Sequence, residues 1–246
     1  MEISKTRLSK YALLHQKKHR DRERLFIVQG EKAVRDTMPY FETEAIIIKK
    51  GTAFDKKEYG VDVLEASEGD MKKLSSFDSL PDVVAVCSIP SPETNLKLEE
   101  TEFTLALDGV QDPGNMGTII RTAHWFGIRR IYCSKGTADI YNPKVVQATM
   151  GSLGKIQITY CDLTELFDAN PLIPVYGLTL EGENLFEISS PKPGIIVMGS
   201  EGHGHSQTVF DRLTKCLTIP PANPKDHPES LNVSIATAIT LSQLIK

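Results

Sequence analysis

Phe103-Thr-Leu-Ala-Leu-Asp-Gly-Val-Gln-Asp-Pro-Gly-Asn-Met-Gly-Thr-Ile-Ile-Arg-Thr-Ala123 carries the chain from a strand through a glycine-rich turn into a helix. The run over 103–107 is short and apolar, as a buried strand is. Asp108-Gly109 opens the turn, and a helix is expected over 115–126. Gly109, Gly114 and Gly117 permit close backbone approach. Asn115 stands where the helix is expected to begin, so its side chain can cap that helix or bind a ligand. Arg121 follows about a turn and a half later.

The same alternation continues on both sides. Downstream, strands are expected over 130–133, 155–160, 174–178, 194–198 and 216–219, with helices over 143–151, 206–213 and 230–245. Six strands mostly separated by helices predict a mostly parallel sheet. Upstream, strands over 25–28, 44–49, 61–64 and 83–86 alternate with helices over 31–38 and 68–76, a second and smaller α/β layer. Ser88-Ile-Pro-Ser-Pro-Glu-Thr-Asn95 separates the two, with two prolines among polar residues. The division expected is 1–90, a linker over 91–98, and 99–246. No internal repeat is evident.

The 246 residues are 40% hydrophobic and 24% charged, which is ordinary for a globular chain and excludes collagen-like and low-complexity polymers. Lys and Arg number 28 against 32 Asp and Glu, for a net charge of -4, so the chain is no wholesale nucleic-acid coat. The charge is uneven. Over 1–24, Lys5, Arg7, Lys10, Lys17, Lys18, Arg20, Arg22 and Arg24 face only Glu2, Asp21 and Glu23, eight cations against three anions and hence +5. Leu8, Tyr11 and Leu14 recur at helical spacing there, so one face packs and the rest forms a phosphate-contacting arm. Cys87, Cys133, Cys161 and Cys216 lie far apart in sequence and read as free thiols in a reducing compartment. Neither a secretory segment nor a membrane-spanning run is present, and the expectation is a soluble, cytoplasmic protein.

Three segments of the second part lie just after expected strands, where open α/β sheets bind ligands. The first is the stretch from Asp108 to Ala123 quoted above. The second is Met198-Gly-Ser-Glu-Gly-His-Gly-His205, in which glycines flank Glu201. It lacks the Lys-Ser/Thr ending of a nucleotide-triphosphate loop, and no full dinucleotide fingerprint follows strand 103–107, which disfavours a nicotinamide oxidoreductase. His203 and His205 have no Cys or acidic partner at ligand spacing, so no metal is expected. The third is Ile219-Pro-Pro-Ala-Asn-Pro-Lys-Asp-His-Pro-Glu-Ser-Leu-Asn-Val-Ser-Ile-Ala-Thr-Ala238, a stiff proline-rich loop. Ser230 or Asn232 can cap the helix that follows, and Ser234, Ala236, Thr237, Ala238 and Thr240 suit tight packing.

In order and spacing these segments resemble the three motifs of the SpoU, or TrmH-type, branch of the SPOUT superfamily of RNA methyltransferases. Tyr141-Asn-Pro-Lys-Val-Val-Gln-Ala-Thr-Met-Gly-Ser152 is similar to the family's helix after its first crossover. Leu25-Phe-Ile-Val-Gln-Gly-Glu-Lys-Ala-Val34 resembles its accessory substrate-binding domain, akin to a ribosomal-protein RNA-binding fold. The resemblance implies a SPOUT-type parallel sheet with a C-terminal trefoil knot, a rare exception among chain topologies. It also implies S-adenosylmethionine as cofactor, an RNA ribose 2′-hydroxyl as acceptor, and a homodimer.

Carried across, the resemblance places the cofactor among Leu178, Thr179, Gly199, Ser200, Glu201, Gly202, Ile219, Ser230 and Leu231. It places catalysis on Asn115, Arg121, Glu201, Ser230 and Asn232. Two departures stand out: His205 occupies a place usually held by Leu, and Ile219-Pro-Pro221 is followed by an insert over 222–228. Ribosomal RNA is favoured over transfer RNA as substrate because of the separate first domain. The competing reading is a non-catalytic RNA-binding or ribosome-assembly factor, against which the complete polar set argues.

Overall fold

The computed structural model describes residues 1–54 and 60–245. Contacts divide the chain into two units, Met1–Ser91 with Asp139–Lys155, and Pro92–Ala138 with Ile156–Lys246.

The first unit runs α1 (Lys5–Ala12), α2 (Lys17–Glu23), β1 (Leu25–Gln29), α3 (Glu31–Thr37), β2 (Thr43–Lys49), β3 (Val63–Ala66), α4 (Glu68–Leu74) and β4 (Val83–Ser88). Its sheet has the order β1-β4-β2-β3, antiparallel except where β2 meets β3. Leu8, Tyr11 and Leu14 bury the face their spacing predicts, against Leu25, Ile27, Ala45 and Ile47. The third strand lies two residues later than the expected 61–64.

The charged face of the first helices is less open than the sequence suggests. Arg7, Lys10, Lys17, Arg20 and Arg22 each hold a carboxylate: Asp62, Glu44, Asp21, Asp139 and Glu23. Arg20, expected on a phosphate-contacting arm, is instead 2% exposed. Its Nη2 reaches Asp139 at 2.6 Å, and its Nη1 donates to the carbonyls of Leu14 and His15. It closes the turn between α1 and α2, so its charge serves packing.

Asp139–Lys155 belongs to the first unit although it lies between strands of the second. Helix α5 (Pro113–Trp125) and strands β5 (Thr104–Asp108) and β6 (Arg130–Cys133) precede it, and it contains α6 (Pro143–Ala148). The reason for its placement is visible in β1, whose residues are all buried. Leu25 and Ile27 face one core, while Phe26 on the other face meets Phe41 and Tyr141 at ring-centroid distances of 5.1 and 4.8 Å. Helix α6 ends at Ala148, short of the expected 151, because Met150 and Gly151 turn left-handed at φ 50° and 85°.

Gly151 also lies hard against α3, where an added Cβ would come 2.5 Å from Asp36 Cβ. Gly151→Ala is therefore expected to destabilise the protein by about 2–4 kcal/mol, combining left-handed strain with overpacking. A urea titration followed by circular dichroism checks it; an unchanged midpoint would contradict the close approach.

The second unit adds β7 (Gln157–Tyr160), α7 (Leu163–Ala169), β8 (Val175–Asn184), β9 (Ile195–Gly199), α8 (Gln207–Phe210), β10 (Lys215–Thr218) and α9 (Val233–Leu244). Its six strands run in the order β10-β8-β9-β5-β6-β7, all pairs parallel, as the alternation predicts. Ala106, Tyr132, Val175, Ile195 and Val197 share one core with Leu163, Leu166 and Phe167 of α7, a helix not anticipated from sequence. Helix α9 packs on α5 through small buried residues, and its Thr237 and Thr240 hydroxyls donate back to the carbonyls of Val233 and Ala236. All four cysteines are free, and burial pushes the Cys87 thiol up to about 11. Among the described residues, no helix is long and apolar enough to cross a membrane.

Candidate active site

Helix α5 begins at Pro113, with Asp112 as its cap, rather than at Asn115. Pro at the first helical position needs no N–H partner, and Asp112 Oδ1 accepts from the Asn115 backbone N at 2.8 Å. That correction frees the Asn115 side chain. Its Nδ2 donates to Glu201 Oε1 at 2.9 Å, and its Oδ1 accepts from Asn232 Nδ2 at 2.9 Å. Asn232 Oδ1 caps α9, accepting from the backbone N of Ser234 and of Ile235. The last helix therefore begins at Val233, three residues after the expected start. The cap fixes which end of each amide donates. Two helix starts and the loop after β9 are thus laced by one relay, Asn232–Asn115–Glu201.

Glu201 Oε2 also accepts from the Gln111 backbone N at 3.4 Å. The loop carrying Glu201 closes on itself, Ser200 N to Gly204 O at 2.8 Å and Gly204 N to Ser200 O at 3.0 Å. Closure needs Gly204 at φ +65° and no side chain at Gly199, whose Cβ would sit 2.5 Å from the Gly204 carbonyl carbon. The loop's exit is tied to both neighbouring strands. Ser206 N and Oγ donate to the buried Asp108 carboxylate at 2.7 and 2.8 Å, at the end of β5. His205 Nε2 meets the Leu178 carbonyl of β8 at 2.8 Å. Desolvation holds the imidazole below its usual range, so the ring is neutral and Nε2 carries its proton.

Leu178 lies where β8 leaves the sheet. β8 pairs with β10 through Gly177–Cys216, then resumes at Glu183–Leu217, leaving 178–182 as a bulge. Thr218 Oγ1 donates to the Leu180 carbonyl, and Thr179 Oγ1 to that of Glu181. Leu178 and Thr179 thus open the bulge within β8, Gly199 ends the neighbouring β9, Ser200, Glu201 and Gly202 begin the loop after it, and Ile219 lies just past β10. Leu231 is half exposed, and Leu180 more so. Ser230 is exposed beyond the cap. Arg121 stands on the exposed side of α5 and, among the described residues, makes no hydrogen bond or ion pair with the other site residues.

The sequence reading missed Asp108, Asp112, Leu180 and the structural part of His205. The Asp-Pro pair at 112–113 was a signal for the cap. Nothing in sequence marked the partner of Asp108, which lies 98 residues away.

These features describe an α/β domain whose candidate site gathers a strand bulge, loops and two helix starts on one parallel sheet. The SpoU rRNA Methylase family matches residues 102–242, and the MRM3-like substrate binding domain matches residues 5–85. The chain belongs to the SpoU rRNA methylase family. Among its relatives is the 23S rRNA (guanosine(2553)-2′-O)-methyltransferase RlmP of Bacillus subtilis, 29% identical over 94% of this chain and 92% of that protein. A candidate RNA methyltransferase of the TrmH family from Porphyromonas gingivalis is 38% identical, covers 99% of this chain and 98% of its own, and superposes with a TM-score of 0.84. The AdoMet-bound rRNA methyltransferase of Sinorhizobium meliloti is 30% identical over 99% of this chain and 96% of its own, also with a TM-score of 0.84.

Proposed function

We propose that this protein transfers a methyl group from S-adenosylmethionine to a ribose 2′-hydroxyl of ribosomal RNA. The observation that carries the reading is the Asn232–Asn115–Glu201 relay, which joins three separate motifs at the strand ends. The relatives support the rest: one is named for ribosomal guanosine 2′-O-methylation, and another holds the methyl donor.

The residues present fit that donor. Leu180 and Leu231 offer apolar side chains to a flat base, and a methyl group built on Gly202 would meet nothing within 4 Å. Leu178, Thr179, Gly199, Ser200, Ile219 and Ser230 would hold it through their main chain. When bound, the cofactor supplies a methyl on a positively charged sulfur, which departs as a neutral thioether.

The protein's work is alignment and charge. Asn115 and Asn232 orient the acceptor and hold the loops in register. Glu201 fixes its loop by accepting from Asn115 and Gln111. The acceptor hydroxyl would have to be held in line with that methyl, its proton leaving to phosphate or solvent. Guanidinium groups keep their charge in proteins, so Arg121 is assigned to gripping the phosphate or the developing negative oxygen rather than to taking the proton. The first unit would hold structured RNA, with Lys5 and Lys18 as phosphate contacts in place of Arg20. The C-terminal knot, a homodimer and a cytoplasmic setting belong to the same reading.

Label transfer from methyl-tritiated S-adenosylmethionine tests the proposal, using ribosomal and transfer RNA from cells lacking the protein. Label is expected in the ribosomal fraction, at a linkage that resists alkali, and falling at least about tenfold with Asn115→Ala. Label confined to transfer RNA would refute the substrate class. Equal label with the variant would refute the relay's role.

A further inference from the structure

We infer that His205 is a positioning residue, which ties the loop after β9 to the bulge of β8 and so sets the main chain along which the cofactor lies. The inference rests on the function proposed above and deepens it.

Three observations converge on this side chain. First, its Nε2–H links the loop's exit to Leu178, at 2.8 Å. Leu178 begins the 178–182 bulge, where β8 has left its pairing with β10. A carbonyl released from ladder bonding needs another donor, and the imidazole supplies it. Second, the tie opposes another. Ser206, the next residue, is held by Asp108 on the far side of β9 through both its N and its Oγ. Consecutive residues therefore pull the loop's exit toward the two strands flanking its own, β8 and β5. The loop is clamped across three adjacent strand ends, and Glu201 is presented from within the clamp. Third, His205 Nδ1 is buried without a hydrogen-bond partner among the described residues. The ring is thus held by the Leu178 bond alone, and burial keeps it neutral despite the nearby Asp108 charge.

An apolar side chain of similar size would fill the same space. It would leave the Leu178 carbonyl without its donor in a half-buried place, at a cost of a hydrogen bond's worth of binding. The family resemblance implies Leu at this place, which could fill the space but not donate. The imidazole's role differs from packing in a way that substitutions separate. Gln reaches with an N–H donor to about where Nε2 lies, while Leu matches volume without donating.

The test compares wild type, His205→Leu and His205→Gln in the full-length protein. Binding of S-adenosylhomocysteine by titration calorimetry is expected to weaken about tenfold with Leu, and to stay within about threefold of wild type with Gln. Turnover at saturating donor is expected to change by less than about twofold, so the loss appears in KM. Amide exchange without cofactor gives a second readout. Gly204 and Ser206 should exchange faster in the Leu variant and at the wild-type rate with Gln. Leu binding as tightly as wild type, or Gln behaving as Leu does, would overturn the inference. Should wild type bind no S-adenosylhomocysteine, the functional reading fails, and the exchange rates still decide whether His205 ties the loop.

Discussion

Arg121→Ala is expected to lower the methyl-transfer rate by about 10²–10³, with donor affinity within about twofold of wild type. Helix α5 buries Met116, Gly117, Ile119, Ile120 and Ala123, leaving Gly114, Thr118, Arg121 and Trp125 exposed along its other side. A cation on such a stripe is most simply a surface ion pair. Among the described residues, however, Arg121 makes no ion pair or hydrogen bond. Removing it disturbs no packing and leaves no buried charge alone, so stability should hold within about 0.5 kcal/mol. Single-turnover transfer at saturating donor isolates the effect. Arg121→Lys separates charge from shape: a planar fork grips two oxygens and an ammonium acts as a point. Near-wild-type turnover in the Lys variant would sink the bidentate role.

Arg20→Ala is expected to cost about 3–5 kcal/mol of stability, the largest effect of any single surface-to-core charge here. The guanidinium is 2% exposed and its partner Asp139 18% exposed, so solvent screens the pair little. Truncation strands the carboxylate and also the carbonyls of Leu14 and His15. The cost is chiefly that of leaving these groups unpaired. Removing both charges, as Arg20→Met with Asp139→Leu, should therefore recover the part due to the stranded carboxylate, while the Leu14 and His15 carbonyls stay unpaired. Urea denaturation of the two single variants and the double variant measures it. A double variant as unstable as the worse single one would contradict this account.

Much of this was legible in the sequence because it was local. The strand runs at 25–28, 44–49, 83–86 and 103–107 fall within or overlap observed strands, since short apolar stretches between turn residues have few other solutions. Glycine spacing placed the turn after β5 and the loop over 198–205 at strand ends, although 113–117 proved to be the first turn of α5. Helix starts were misread where two cap-forming residues competed, as Asp112 with Asn115 and Ser230 with Asn232. Proline at the first helical position decides the first case. The rest was hidden by distance. Neither the Glu201–Asn115 bond nor the Asp108–Ser206 bond has a sequence signature, because each spans more than 80 residues. The burial of Arg20 was missed for the same reason, as a count of charges contains no partners.

The course of the chain through Asp139–Lys155 orders its synthesis. A ribosome releases the amino end first, and domains generally fold as units as they emerge. Here the first 91 residues emerge with Phe26, on the outer face of β1, packed on Phe41 but lacking Tyr141, and with Arg20 lacking its carboxylate. Both partners arrive more than a hundred residues later, after β5, α5 and β6 have been made. The nascent amino-terminal unit must wait with that face only partly covered until about a third of the next unit is translated. The two units are separate in their cores and tied in time.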